Sequence, residues 1–143
     1  MATAASAAPP AWFRIVALLA VLWNAFGVSQ YLMSVGLFGD PMASMTAEQR
    51  AVVETIPAAI TAAFAIGTIA GLIGSVGLLL RKRWAFPVLV VSLLALAALE
   101  GWIVFLSGAL DAFGGIALPA TIVLVALLLA WLAWHARRQG WLS

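Results

Sequence analysis

Four long apolar runs dominate the chain: Phe13–Gly36, Pro57–Leu80, Trp84–Ser107 and Phe113–His135. A helix that crosses a bilayer needs about 20 predominantly apolar residues, and each run meets that length. In hydrocarbon a segment must satisfy its own backbone N–H and C=O groups, so helices are the reading that fits. The pattern predicts an all-α protein, an integral membrane four-helix bundle.

The polar stretches between the runs predict how they connect. Arg81-Lys82-Arg83 alone joins spans two and three, which makes those helices antiparallel neighbours. The first connection is longer and carries its own signal. Thr46-Ala47-Glu48-Gln49 has the form of a capping box, with Thr46 as cap and Gln49 reaching back. It predicts a short amphipathic helix from Ala47 to Thr55, halted before Pro57, with Met45, Val52, Val53 and Ile56 on its apolar side. Its expected place is the first outer loop, over the bundle mouth. Pro87 falls in the first turn of span three, where a missing N–H costs little. Residues 1–12 read as a mobile N-terminal tail, 13–138 as a single transmembrane domain and 139–143 as a cytoplasmic C-terminal tail. The opening stretch has no basic region ahead of an apolar run, so no signal peptide is expected.

Charge then sets orientation. Arg14, Arg81, Lys82, Arg83, Arg137 and Arg138 all fall on one side of a four-span threading. Arg50 falls on the other, with Asp40, Glu48, Glu54 and Asp111. The positive-inside rule makes the first side cytoplasmic, and with it both termini. Trp12, Trp84, Trp134 and Trp141 then mark the cytoplasmic interface, with Trp102 and Phe113 nearer the outer one. The Ala-rich composition fits a GC-rich bacterium, so the expected location is the bacterial inner membrane.

Composition agrees and excludes other classes. Of 143 residues, 66% are hydrophobic and 8% charged, against about 25% charged in a soluble domain. Mean hydropathy is +1.16. The isoelectric point near 10 reflects a net charge of only +2, with bases at span ends, so no nucleic-acid partner is expected. There is no cysteine, which rules out disulfides, thiolate metal sites and thiol catalysis. His135 is the only histidine and reads as an interfacial residue. The loop acids lack the spacing of an EF-hand, and no P-loop is present. With no paired carboxylates, nucleophile–base pair or metal ligands, neither an enzyme nor a cofactor is expected.

One residue breaks the apolar pattern. Glu100 stands alone within Trp84–Ser107, and a carboxylate there costs roughly 2.5 to 3.5 kcal/mol on insertion scales. At about 1.5 Å rise per residue, Gln30, Tyr31 and Thr121 lie near its depth, with Asn24 and Thr68 near mid-span. Asn24, Gly27 and Tyr31 share one helical stripe, Trp23, Gly27, Gln30 and Ser34 the next, and Ser92 lies on the Glu100 face. These stripes are expected to face inward, with Glu100 meeting span one near Gln30, Tyr31 and Thr121. No Arg, Lys or His lies at that depth. Two uses are open: an interhelical hydrogen bond that fixes register, or a proton- or solute-handling carboxyl in a small cavity.

Span two carries Ala63, Gly67, Gly71 and Ser75 at steps of four, a ladder that allows close helix approach. It serves either packing inside the bundle or a seam between copies.

The stretch Trp23-Asn24-Ala25-Phe26-Gly27-Val28-Ser29-Gln30-Tyr31 resembles a W-N-x-x-G-x-x-[D/Q]-Y motif of uncharacterised four-helix inner-membrane proteins of proteobacteria. The resemblance spans the chain, taking in the Thr46–Gln49 signature, Pro57 and the basic turn. It implies the same four-helix fold. Such proteins often carry the label "sugar transporter", for which these residues offer no physical basis. Many of them have Asp where this chain has Gln30. The small multidrug-resistance exporters also have four spans and a membrane glutamate, but theirs is in the first span and this one is in the third. DoxX-like proteins share only the architecture.

The functional expectation is therefore a small membrane protein acting as an accessory or associating subunit, with the bilayer, further copies or a larger membrane protein as partners. The alternative is an oligomeric small-solute or proton-coupled transporter centred on Glu100.

Overall fold

The computed structural model describes residues 7–143. Positions 1–6 of the expected N-terminal tail lie outside the described residues. The elements are α1 (Ala11–Ser34), α2 (Ala47–Glu54), α3 (Ala58–Leu79), α4 (Ala85–Phe105), α5 (Ala109–Ala112) and α6 (Ala117–Arg138). Four of them, α1, α3, α4 and α6, are long and apolar enough to cross a membrane. In their most apolar windows only 22% to 39% of residues are buried in the chain, so most of their apolar surface needs lipid as solvent. That surface includes Leu18, Leu19 and Leu22 of α1, Leu94 of α4, and Leu124 and Leu128 of α6, all exposed.

Proline placement sets the starts of the long helices. Pro10 and Pro57 sit at the N-caps of α1 and α3, and Pro87 and Pro119 in the first turns of α4 and α6. A first-turn N–H has no intrahelical acceptor, so proline costs nothing there. α2 carries the capping box: Gln49 N donates to Thr46 Oγ1 at 3.2 Å, and Thr46 N to Gln49 Oε1 at 3.1 Å.

The fourth expected span is shifted. It was placed at 113–135, but Gly114 and Gly115 adopt φ values of +89° and +90° and break the chain there. The helix starts at Ala117 and runs to Arg138, and the short α5 precedes the break. The other three differ from expectation by a residue or two at each end.

The helices pack in the order α1, α3, α4, α6, with little direct contact between α1 and α6. At one end all four converge. Phe13, Leu78, Ala85, Ala133 and Ala136 are fully buried there, and alanines let the backbones approach. At the other end the helices diverge, and α2 and α5 fill in between them.

The converging end holds an unexpected clasp. The expected tail at 139–143 instead folds back: Trp141 N donates to Ala136 O across Gly140, whose φ is +70°. Ser143 N then donates to Arg81 O, and Arg83 N to Ser143 O. Arg81 Nε reaches Trp141 O at 2.9 Å, and its Nη2 reaches Ala7 O at 3.1 Å. Arg81 itself takes the left-handed conformation, φ +60°, and these bonds help to offset its cost for a residue with a Cβ. Leu142 is driven into the core, 1% exposed. Trp141 lies edge-on to Phe13, Trp12 and His135.

Candidate functional site

The divergent end encloses a cavity of about 490 Å³ lined by all six helices. Its wall is mostly apolar and rich in rings: Trp23 and Phe26 from α1, Phe64 from α3, Trp102 from α4, and Phe113 before α6. Val52, Val53 and Ile56 close it on the α2 side. α2 is held there in part by Gln49, whose Nε2 donates to Ala112 O at the end of α5, at 3.0 Å. Gln49 thus serves twice, in the cap and across to α5.

Glu100 opens into this cavity. It is 5% exposed, and its carboxyl makes no hydrogen bond or ion pair among the described residues. Every fully enclosed polar side-chain atom among those residues has a partner. The Glu100 oxygens have none, so they must border open space, and the cavity supplies it. The other polar groups on the wall are Asn24, Gln30, Ser34, Thr61 and Thr68. No Lys, Arg or His lines it.

Below the cavity is a polar floor. Asn24 Nδ2 donates to Ala20 O and to Ser75 Oγ, the latter at 3.0 Å. Ser75 donates to Gly71 O at 2.7 Å, and Ser92 donates across to Gly67 O at 2.6 Å. A second space of about 10 Å³ lies against Asn24 and Ser92, near the lower limit for one water. Beneath it Leu89 and the converging core seal the bundle.

Of the residues expected around Glu100, the structure gathers some and not others. Gln30 and Asn24 share its cavity. Tyr31 does not line it: its ring packs edge-on against Phe64, centroids 5.5 Å apart. Thr121 is exposed on α6 and donates to Ala117 O of its own helix at 2.7 Å. The depths were matched along the helix axes, but rotation about those axes turns both residues away from the carboxyl. Of the two uses left open for Glu100, the structure shows no interhelical hydrogen bond from it among the described residues.

The span-two ladder faces inward. A Cβ at Gly67 would lie 2.7 Å from Leu96, one at Gly71 would overlap Asn24 Oδ1, and one at Gly74 would lie 2.6 Å from Leu89. Ser75 is fully buried, and Ala63 is half-buried. α1 and α4 therefore occupy this face.

Sequence reasoning missed Phe64 and Phe113 as parts of one chamber. The signal available was the set of breakers Gly108, Gly114 and Gly115, which stop the chain from crossing straight and let it wrap the opening. Among the described residues no group of three or more His, Asp or Glu could hold a metal ion.

No family model, curated protein or solved structure matches this chain.

Proposed function

We propose that this is a multi-pass protein of a bacterial inner membrane that binds a small, largely apolar molecule in the chamber around Glu100, in a transport-type role. The observation that carries this reading is the buried carboxyl with no protein partner, bordering about 490 Å³ of open space. A carboxyl kept only for register would be bonded across helices. Ligand chambers fall between roughly 300 and 1,000 Å³ and combine an apolar wall with a few polar groups, as this one does. Trp23, Asn24, Gly27 and Gln30 of the W-N-x-x-G-x-x-[D/Q]-Y stretch all lie on the wall, which gives the proposed kinship a physical content.

With the positive-inside orientation, the chamber lies in the outer half of the bilayer and α2 covers it from outside. The floor at Asn24, Ser75 and Ser92 and the core beneath it close the other half. Carriage across the bilayer then requires the converging end to part, alone or within an oligomer. Catalysis is not part of this proposal, since the chamber has one carboxyl and no nucleophile–base pair. The associating-subunit reading leaned on the span-two ladder. With that ladder filled by Leu96, Asn24 and Leu89, it needs another surface.

The test uses a neutral probe, 4-phenylbutanol, and equilibrium dialysis against the protein in dodecyl maltoside, with empty micelles subtracted. Saturable binding of one probe per chain is expected, and Thr61→Trp, which fills the chamber from its wall, should abolish it. Binding that does not saturate, or that survives Thr61→Trp unchanged, counts against the proposal.

A further inference from the structure

We infer that the molecule the chamber takes is an organic monocation, an amine or quaternary ammonium with an apolar body. The inference deepens the solute-binding reading and rests on it.

Charge is the first argument. Glu100 is the sole ionisable side chain on the wall. The elements packed around it offer only amides and hydroxyls: Asn24, Gln30 and Ser34 from α1, Thr61 and Thr68 from α3. The basic side chains are elsewhere. Arg14, Arg81, Lys82, Arg83, Arg137 and Arg138 belong to the converging end, and Arg50 donates to Met42 O at 3.1 Å. A buried carboxyl is stable as the anion only beside a counter-charge and otherwise holds its proton, and no described residue on the wall supplies that charge. A cationic ligand supplies it and forms an ion pair with the carboxylate, whereas an anionic ligand meets no positive group on the wall.

The wall is the second argument. Trp23, Phe64 and Trp102 present π-systems within the same chamber as the carboxyl. Aromatic rings attract cations electrostatically, and they do so best where water is excluded and the cation is large and weakly hydrated. An ammonium carrying alkyl groups sets its charge toward Glu100, its methyl or methylene groups against the rings, and its body along the aliphatic wall. Inorganic cations fit poorly. Calcium takes six to eight oxygen ligands and magnesium near-ideal octahedral geometry. This wall has one carboxyl and a few polar groups spread over about three turns of α1 and two of α3.

Size is the third. A chamber of about 490 Å³ is far larger than a bare ammonium ion and in the range that encloses a ring with a short chain.

The experiment compares three probes of one shape in dodecyl maltoside, a detergent with neither charge nor amine: 4-phenylbutyltrimethylammonium, 4-phenylbutanol and 4-phenylbutanesulfonate. Equilibrium dialysis of the wild-type chain should rank the cation at least tenfold tighter than the sulfonate, with the alcohol between. Glu100→Gln keeps the shape and removes the charge. It should weaken the cation at least tenfold more than it changes the alcohol. Equal binding of cation and sulfonate by the wild type, or a cation affinity unchanged by Glu100→Gln, overturns the inference. The wild-type ranking decides alone if the variant does not fold. If the alcohol binds and the cation does not, only the charge assignment fails. If none of the three binds, the chamber reading fails with it.

Discussion

Asn24 Nδ2 and Ser75 Oγ meet at 3.0 Å, the one side-chain hydrogen bond between α1 and α3 among the described residues. Both groups are buried, and each is also bonded to its own helix, Asn24 to Ala20 O and Ser75 to Gly71 O. The pair therefore fixes α1 in register against the ladder face of α3 and forms the floor of the chamber. Interhelical hydrogen bonds in membranes average about 0.6 kcal/mol and reach about 1.7. A double-mutant cycle with Asn24→Ala and Ser75→Ala, read by unfolding in mixed micelles, should return a coupling within that range. A coupling indistinguishable from zero would remove the register role.

The glycines make a sharper contrast. At Gly71 an added methyl overlaps Asn24 Oδ1 and lies 3.0 Å from Ser92 Oγ. Gly101, on α4, has nothing within 4 Å of the same added atom. Gly71→Ala should destabilise by about 1 to 3 kcal/mol through overpacking. Gly101→Ala should be neutral or stabilise by up to about 1 kcal/mol, since alanine is the better helix former. Equal effects at the two sites would mean that α3 is not packed as described.

One side chain helps to seat α2 against the chamber. Gln49 both completes the α2 cap and donates to Ala112 O. Gln49→Ala removes the bond to Ala112 and the cap bond from Thr46 N, whereas Thr46→Ala removes only the other cap bond, from Gln49 N to Thr46 Oγ1. Cysteine placed at Val53 on the chamber wall should react with a water-soluble maleimide severalfold faster in the Gln49→Ala background, and less so with Thr46→Ala. Equal rates in the two backgrounds would show that the bond to Ala112 does not hold α2 down.

Much of this was legible in the amino-acid pattern, for identifiable reasons. The long helices are set by apolar length, and length needs no knowledge of neighbours. The α2 cap is local chemistry between Thr46 and Gln49. Glu100 was conspicuous because a carboxyl among apolar residues is costly wherever it faces. Its surroundings were not legible, because they depend on how each helix is rotated about its axis. Thr121 and Tyr31 lie at the right depth on the wrong face, and no run of uniformly apolar residues encodes that rotation. The clasp at 141–143 was partly encoded, in a glycine just past the last helical turn followed by Trp141 and Leu142. What it grips, Arg81 and Arg83, lies about sixty positions away and could not be read locally.

Leu142 tests that clasp. It is 1% exposed within the same core as Phe13 and Leu78. Leu142→Ala should cost about 2 kcal/mol or more, as large-to-small changes in cores do. Removing residues 141–143 should cost more, since the bonds to Arg81 and Arg83 go with them. Loss of stability no larger than that of an exposed substitution such as Leu128→Ala would show that the segment is not part of the fold.

The clasp also constrains threading. Ser143 is bonded to Arg81 and Arg83, and Ala7 to Arg81, so these three segments share one side of any membrane the four helices cross. Glu48 on α2 belongs to the opposite end. We propose that the clasped end is cytoplasmic, because six of the seven basic residues flank it and basic residues favour that side of a membrane. The chain has no cysteine, so single cysteines report without background. In intact cells, Glu48→Cys should be labelled by a membrane-impermeant maleimide, and Lys82→Cys only after permeabilisation. Labelling in the reverse order would invert the orientation while leaving the fold intact. Labelling of both in intact cells would mean that the helices do not thread the bilayer as four spans, and the chamber would then have no membrane to serve.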